Sequence, residues 1–330
     1  MKAIRSFPRN APALACAVLL AACSLLAQGS PAIVYDVGGK FDRSFNEAAR
    51  AGAERWKRAT GKTYAEFEVT NPAQREQALR RMAERGFDPV VAIGFSQGAG
   101  LAKVAREFPR TKFAIVDATV ELPNVESFVF EEHEGSFLVG IVAALASKSG
   151  KIGFVGGMDI PLIRRFECGY AQGARHVEPK IELRSNMIGA TAAAWADPAR
   201  GAELAQAQFA AGVDVVFAAA GGSGVGVYQA AKDAGKLAIG VDSNQNALHP
   251  GTMLTSMVKR VDVAVERAFA GVEPGVRALG LEEGGVDIAL DEHNAALVTP
   301  AMKARVDAAK AEIIAGRLHV VDYMTSGRCP

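Results

Sequence analysis

The stretch Phe154-Val-Gly-Gly-Met-Asp-Ile-Pro-Leu-Ile-Arg-Arg-Phe-Glu167 begins as a strand and ends as a helix. The apolar run Lys151-Ile152-Gly153-Phe154-Val155 stops at the pair Gly156-Gly157, and helical spacing follows from Ile163 to His176. A glycine turn in that position suggests a phosphate loop. The spacing is not Gly-x-Gly-x-x-Gly, however, and Pro161 stands where the helix of such a loop would already be running. Proline is tolerated at or before the first helical turn, where its missing N–H costs little, so the stretch reads as a βα unit without a phosphate cradle.

The same unit recurs on both sides. Ala32 to Asp36 leads through Gly38-Gly39 to a helix at Ser44, with Ser44 and Glu47 spaced as a capping box. Val90 to Ile93 ends at Gly94 and precedes a helix over Leu101 to Phe108, and Phe113 to Asp117 closes the first set. After an apolar helix, Ser136 to Ala146, the opening stretch starts a second set. Asp214 to Ala220 runs into Gly221-Gly222-Ser223-Gly224 and a helix over Val227 to Ala234, and Leu237 to Asp242 ends it. Repeated βα units predict an α/β protein with parallel sheets covered by helices, here as two similar lobes. The remaining segments are a strand at 252–257, a helix over Lys259 to Phe269, an apolar run at 286–290 and a helix over Pro300 to Ala315. They are too few for a third domain and are expected to complete the two lobes. The division expected is 31–135 plus 253–280 for the N-terminal lobe and 136–252 plus 281–330 for the C-terminal lobe.

The 330 residues are 49% hydrophobic, enough for a large core. A formal charge of +1 argues against a polyanion-binding surface, so nucleic acid is not an expected partner. Lys2, Arg5 and Arg9 precede a short apolar segment, Ala11 to Leu20, with the form of a secretory signal. Leu20-Ala21-Ala22-Cys23 then looks like a lipobox, predicting a signal peptide over residues 1–22 and a lipid on Cys23. The alternative is ordinary cleavage near Ala27-Gln28-Gly29. Either way export is expected, to the periplasm or the outer face of the cytoplasmic membrane. Cys168 and Cys329 remain in an oxidising compartment, where pairing is possible but sequence shows no distance.

In open parallel sheets ligands sit beyond the carboxyl ends of the strands. Here those ends carry Asp36, Asp117 and Asp242, or the glycines Gly94, Gly156-Gly157 and Gly221-Gly222. Three carboxylates at equivalent places point to a shared polar cleft, although any one alone would read as a cap. No Walker motif or Gly-x-Ser-x-Gly elbow occurs, and the five histidines lack metal-ligand spacing, so no catalytic residue, metal or cofactor is assigned. Glu131-Glu132-His133-Glu134 reads as a solvated helix start, with weak cation binding as the alternative. Trp195 reads as packing at a helix start, with a place near the cleft mouth also open.

Asp36-Val-Gly-Gly…Asp42-Arg-Ser-Phe-Asn46, Phe130-Glu-Glu-His-Glu-Gly-Ser-Phe137, Gly153 to Glu167, Ala220 to Gly226, Gly240-Val-Asp-Ser243 and Thr255 to Asp262 resemble, in order, the basic membrane lipoprotein (BMP) family. These are substrate-binding proteins of ABC importers, similar to a purine nucleoside receptor of spirochaetes. The resemblance implies a type I periplasmic-binding-protein fold, two Rossmann-like lobes joined by a three-segment hinge. It also implies a permease partner and a purine nucleoside in the cleft. Carried over by motif, Phe45 would pack on the base and Asn46 bond its edge, with Asp36 beside them. Asp117 would contact base nitrogens, Phe166 form the second wall, Gly221 and Gly222 bring backbone close, and Asp242 with Lys259 hold the ribose. Many members have Asp-Asp-Lys-Ser where this chain has Phe41-Asp42-Arg43-Ser44, and some bind riboflavin or free bases, so these remain alternative ligands. A secreted nucleoside hydrolase on this scaffold is the alternative from another class.

Overall fold

A computed structural model describes residues 29–330; the signal segment and Cys23 lie outside the described residues. In chain order the elements are β1 (Ala32–Tyr35), α1 (Phe45–Thr60), β2 (Ala65–Glu68), α2 (Arg75–Glu84), β3 (Val90–Ile93), α3 (Gly98–Glu107), β4 (Phe113–Val116), β5 (Val125–Phe130), α4 (Glu132–Ala146), β6 (Lys151–Met158), α5 (Pro161–Val177) and β7 (Glu182–Gly189). They continue with α6 (Pro198–Ala210), β8 (Val215–Ala219), α7 (Gly224–Asp233), β9 (Leu237–Asp242), β10 (Met253–Lys259), α8 (Val261–Ala270), β11 (Gly275–Leu279), β12 (Val286–Ile288), α9 (Pro300–Ile314) and α10 (Tyr323–Ser326).

Two six-stranded sheets result, ordered β11-β5-β4-β3-β1-β2 and β12-β10-β9-β8-β6-β7. Every pairing is parallel except that of β10 with β12. The central strands are fully buried apolar runs, as expected where helices cover both faces. The two lobes of the type I periplasmic-binding-protein fold are therefore present. The chain passes between them after β5, after β10 and after β11, which makes the hinge three-stranded.

The strand expected to return to the first lobe does not do so. β10 pairs in parallel with β9, Ser256 opposite Gly240, and only α8, which packs on α1, and β11, which pairs with β5, return. A lone apolar strand carries no label for the sheet it will extend. Here the open edge of β9 takes it, which brings Lys259 to the carboxyl end of the second sheet. The opening stretch folds as read, with Pro161 the first residue of α5 and Ile160 before it in extended conformation.

Candidate functional site

The carboxyl ends of both sheets face one cleft, lined by Asp36, Asp42, Phe45, Asn46, Gly94, Phe95, Asp117, Phe166, Trp195, Gly221, Asp242 and Lys259 among others. It encloses about 600 Å³ of empty space including its mouth. Eight of the nine expected ligand-binding residues thus share one cavity, and Gly222 adjoins one of them, Gly221.

On the first lobe Asp36 follows β1. Its Oδ1 accepts the Val37 N–H at 2.8 Å and Arg75 Nε at 2.8 Å, a partner the sequence did not reveal. Asn46 bonds the Asp36 backbone in both directions, accepting the N–H at 3.3 Å and donating to the carbonyl at 3.4 Å. It therefore ties α1 to β1 besides lining the cleft.

The capping box expected at Ser44 is not formed. The Asp42 carboxylate caps α1 instead, accepting the N–H groups of Ser44 at 2.8 Å, Asn46 at 3.0 Å and Glu47 at 3.0 Å. Burial raises the Asp42 carboxyl above its ordinary range against the pull of those donors. Ser44 Oγ, freed from capping, donates across the cleft to Asp242 Oδ2 at 2.5 Å. Ser243 Oγ donates to the Ser44 carbonyl at 2.9 Å, and Gln245 Nε2 to the Arg43 carbonyl at 2.7 Å. These three bonds join the lobes in the closed arrangement.

Asp117 and Asp242 end equivalent strands, β4 and β9, and both adopt left-handed backbone, φ 68° and 64°. A non-glycine residue there costs about 1 to 3 kcal/mol, a strain that tends to be kept at functional sites. Burial, opposed by Lys259, pushes each carboxyl up to about 6. Asp117 Oδ2 accepts from Lys259 Nζ at 2.7 Å, while Oδ1 is buried in the cleft wall with no protein partner.

The Lys259 ammonium, 2% exposed, lines the cleft and is shared between Asp117 and Glu132 Oε1, at 2.7 and 2.8 Å. The rings of Phe45, Phe130 and Phe166 surround it at 5.1 to 5.6 Å. Glu132 and His133 are in turn buried, not solvated. Arg165 explains this, donating to Glu131 at 2.6 Å, Glu132 at 2.9 Å and Asp322 at 2.7 Å. The cluster Glu131, His133 and Asp322 has the reach of a metal site, but Arg165 holds both of its carboxylates. Burial and then Arg165 push His133 down to about 4, so it is neutral at pH 7.

The glycine pair of the opening stretch serves the side chains behind the walls. A β-carbon on Gly157 would overlap the Trp195 indole, and one on Gly156 would overlap Met187 Sδ and Ile163. Trp195, one of the cleft-lining residues, lies flat on Gly157 because nothing projects there. Gly221 adopts φ 56° in the cavity wall. Gly222 faces the Trp195 carbonyl, where an added β-carbon would sit at 3.2 Å, and Asp42 of the other lobe. Phe95, after Gly94, is a wall residue that only its place after a strand-ending glycine would have signalled.

Among the described residues no helix is long and apolar enough to cross a membrane. The sequence profile of the family described as ABC transporter substrate-binding protein, PnrA-like, matches residues 30–320. The chain is 34% identical over 319 residues to the ABC transporter nucleoside-binding protein BmpA of Lactococcus lactis, with 88% of each protein covered. It is 31% identical over 245 residues to basic membrane protein A1 of Borrelia garinii, covering 70% of this chain and 69% of that one. A solved ABC transporter solute-binding protein of Aeropyrum pernix superposes with a TM-score of 0.81 at 30% identity, covering 89% of this chain and 93% of its own. With this match along nearly all the described residues and the two-lobed cleft, the chain belongs to the Bmp family of PnrA-like ABC transporter substrate-binding proteins.

Proposed function

We propose that the chain captures a purine nucleoside between its lobes and presents it to an ABC permease, held at the outer face of the membrane by a lipid on Cys23. The observation that carries the ligand is the pairing, in one aromatic-walled slot, of Asp117 with an unpartnered acceptor on one lobe and Asp242 on the other. A buried acceptor without a donor is costly, and a ligand N–H relieves that cost. Phe45 and Phe166, with Trp195 beside them, present flat apolar faces for a ring. In this reading Asp117 accepts from the base, with Asp36 and Asn46 along its edge. Asp242 accepts from the ribose, and Gly221 lets backbone approach. Lys259 acts by holding Asp117 in place, its ammonium caged by the rings of Phe45, Phe130 and Phe166. The relative of L. lactis is described as nucleoside-binding, which supports the same class.

Capture is non-enzymatic: closure makes the bonds of Ser44, Ser243 and Gln245 across the cleft, and the closed shape is what a permease recognises. Asp242→Ala is expected to weaken inosine by roughly 10- to 150-fold, the loss of a charged hydrogen bond, and adenine far less. Ser44→Ala removes the same crossing bond but keeps the carboxylate, so it should weaken both ligands alike. Calorimetric titration of the two variants reads the difference; equal losses for base and nucleoside in Asp242→Ala would remove Asp242 from the ribose.

A further inference from the structure

The helix that delivers Phe166 to the cleft is fastened along its outer side by the end of the chain. Arg165 pairs with Asp322, Cys168 is disulfide-bonded to Cys329, and Arg175 donates to the Pro330 carbonyl at 2.9 Å. Gln172 exchanges two bonds with Val321, at 2.9 and 2.8 Å. Residues 321–330 are exposed or half-buried throughout. Apart from the part-buried Arg165–Asp322 pair, these polar contacts are exposed and return little free energy against the entropy of ordering ten residues. The covalent bond therefore joins the Arg165–Asp322 pair in keeping the segment in place and fastens its far end.

We propose that this C-terminal segment is a redox-sensitive brace on the ligand site, and that Arg165 is the positioning residue through which it acts. The route is short and wholly present in the structure. Asp322 holds Arg165, which also donates to the Phe130 carbonyl and to Glu132. Glu132 shares Lys259 with Asp117, and Phe166 follows Arg165 in the same helical turn. Release of the segment takes Asp322 away from a buried guanidinium. The first turns of α5 then lose their outer support, and the partition of Glu132 between Arg165 and Lys259 shifts. The disulfide is reachable from its Cys329 end: Cys168 is buried, but Cys329 is exposed and lines an open groove between α5, β7 and the end of the chain, together with Arg164, Ser185 and Tyr323.

Dithiothreitol supplies the chemistry of the test. Its thiolate attacks one sulfur and expels the other cysteine as a thiolate, which takes a proton. The second thiol of the reagent then displaces the first cysteine, closing an oxidised ring and transferring two electrons in all. Hydrogen exchange of the ligand-free protein is expected to accelerate about tenfold over residues 165–172 on reduction, and the inosine dissociation constant to rise about tenfold. Reoxidation should restore both. In Asp322→Asn the loss is already present, so reduction should change the dissociation constant less than twofold. Unchanged exchange over 165–172 on reduction overturns the brace, and an equal loss of affinity on reduction in wild type and Asp322→Asn overturns the route through Arg165. The affinity arm rests on the nucleoside reading. Should oxidised wild type not bind inosine, that reading fails, and the exchange measurement still decides the brace.

Discussion

Replacing Lys259 with methionine should lower the unfolding free energy of the ligand-free protein by about 3 to 5 kcal/mol, the cost of stranding buried partners of a charge. Methionine suits the ring cage formed by Phe45, Phe130 and Phe166, so the loss is not one of packing. What remains is two carboxylates, Asp117 and Glu132, facing each other in the dry seam where the chain crosses between lobes. The pH dependence has a definite sign. The Asp117 carboxyl is already pushed up to about 6, so between its ordinary value near 4 and that point the folded state holds a proton the unfolded chain has released. Stability due to this group therefore falls as pH rises through that window. Without Lys259 the window extends upward, and the deficit should be larger at pH 8 than at pH 5. Urea unfolding at both values measures it. Combining Lys259→Met with Asp117→Asn and Glu132→Gln should recover most of the loss. A deficit below about 1 kcal/mol at pH 8 would mean that the desolvation of the lysine cancels its pairing.

Asp117→Asn should weaken inosine binding by roughly 10- to 150-fold, since a ligand donor loses its charged acceptor. The wild-type protein should show the same dependence on ionisation. Burial pushes both Asp117 and Asp242 up to about 6, so lowering the pH from 7.5 to 5 protonates them. Affinity then falls roughly tenfold for each carboxylate that must be ionised to accept the ligand. The Asn variant should keep only the part due to Asp242. Affinity constant from pH 7.5 to 5 would show that neither carboxylate meets a ligand donor in its charged form.

The two lobes were legible because β1, β3, β4, β8 and β9 are uninterrupted apolar runs, the form that strands take when helices bury both faces. Their ends announced the cleft, where a charged or glycine residue interrupts the run. The edge strands were illegible for the complementary reason. β2 is Ala-Glu-Phe-Glu and β7 is Glu-Leu-Arg-Ser-Asn-Met-Ile-Gly, both half-exposed, so neither stands out from loop sequence. At the site, local patterns lost to distant partners. Ser44 and Glu47 have capping-box spacing, but Asp42 reaches the same N–H groups from its own turn and Asp242 takes the hydroxyl from 198 residues away. The charges of Glu131 to Glu134 read as a wet helix start because Arg165 and Lys259, which bury Glu132, come from other parts of the chain. Gly157 is readable as a close approach, but not what approaches; the Trp195 indole that packs on it is 38 positions later. The Cys168–Cys329 bond was left open by a sequence that gives no distances.

Calorimetric titration of protein that has been unfolded and refolded to strip any carried ligand tests nucleoside capture most directly, with adenosine, guanosine, inosine, cytidine, adenine and riboflavin as titrants. A single saturable site for the purine nucleosides, tighter than for adenine or riboflavin and with no free base released on prolonged incubation with inosine, is the predicted result. No heat with any purine nucleoside, or turnover of inosine to free base, would contradict it.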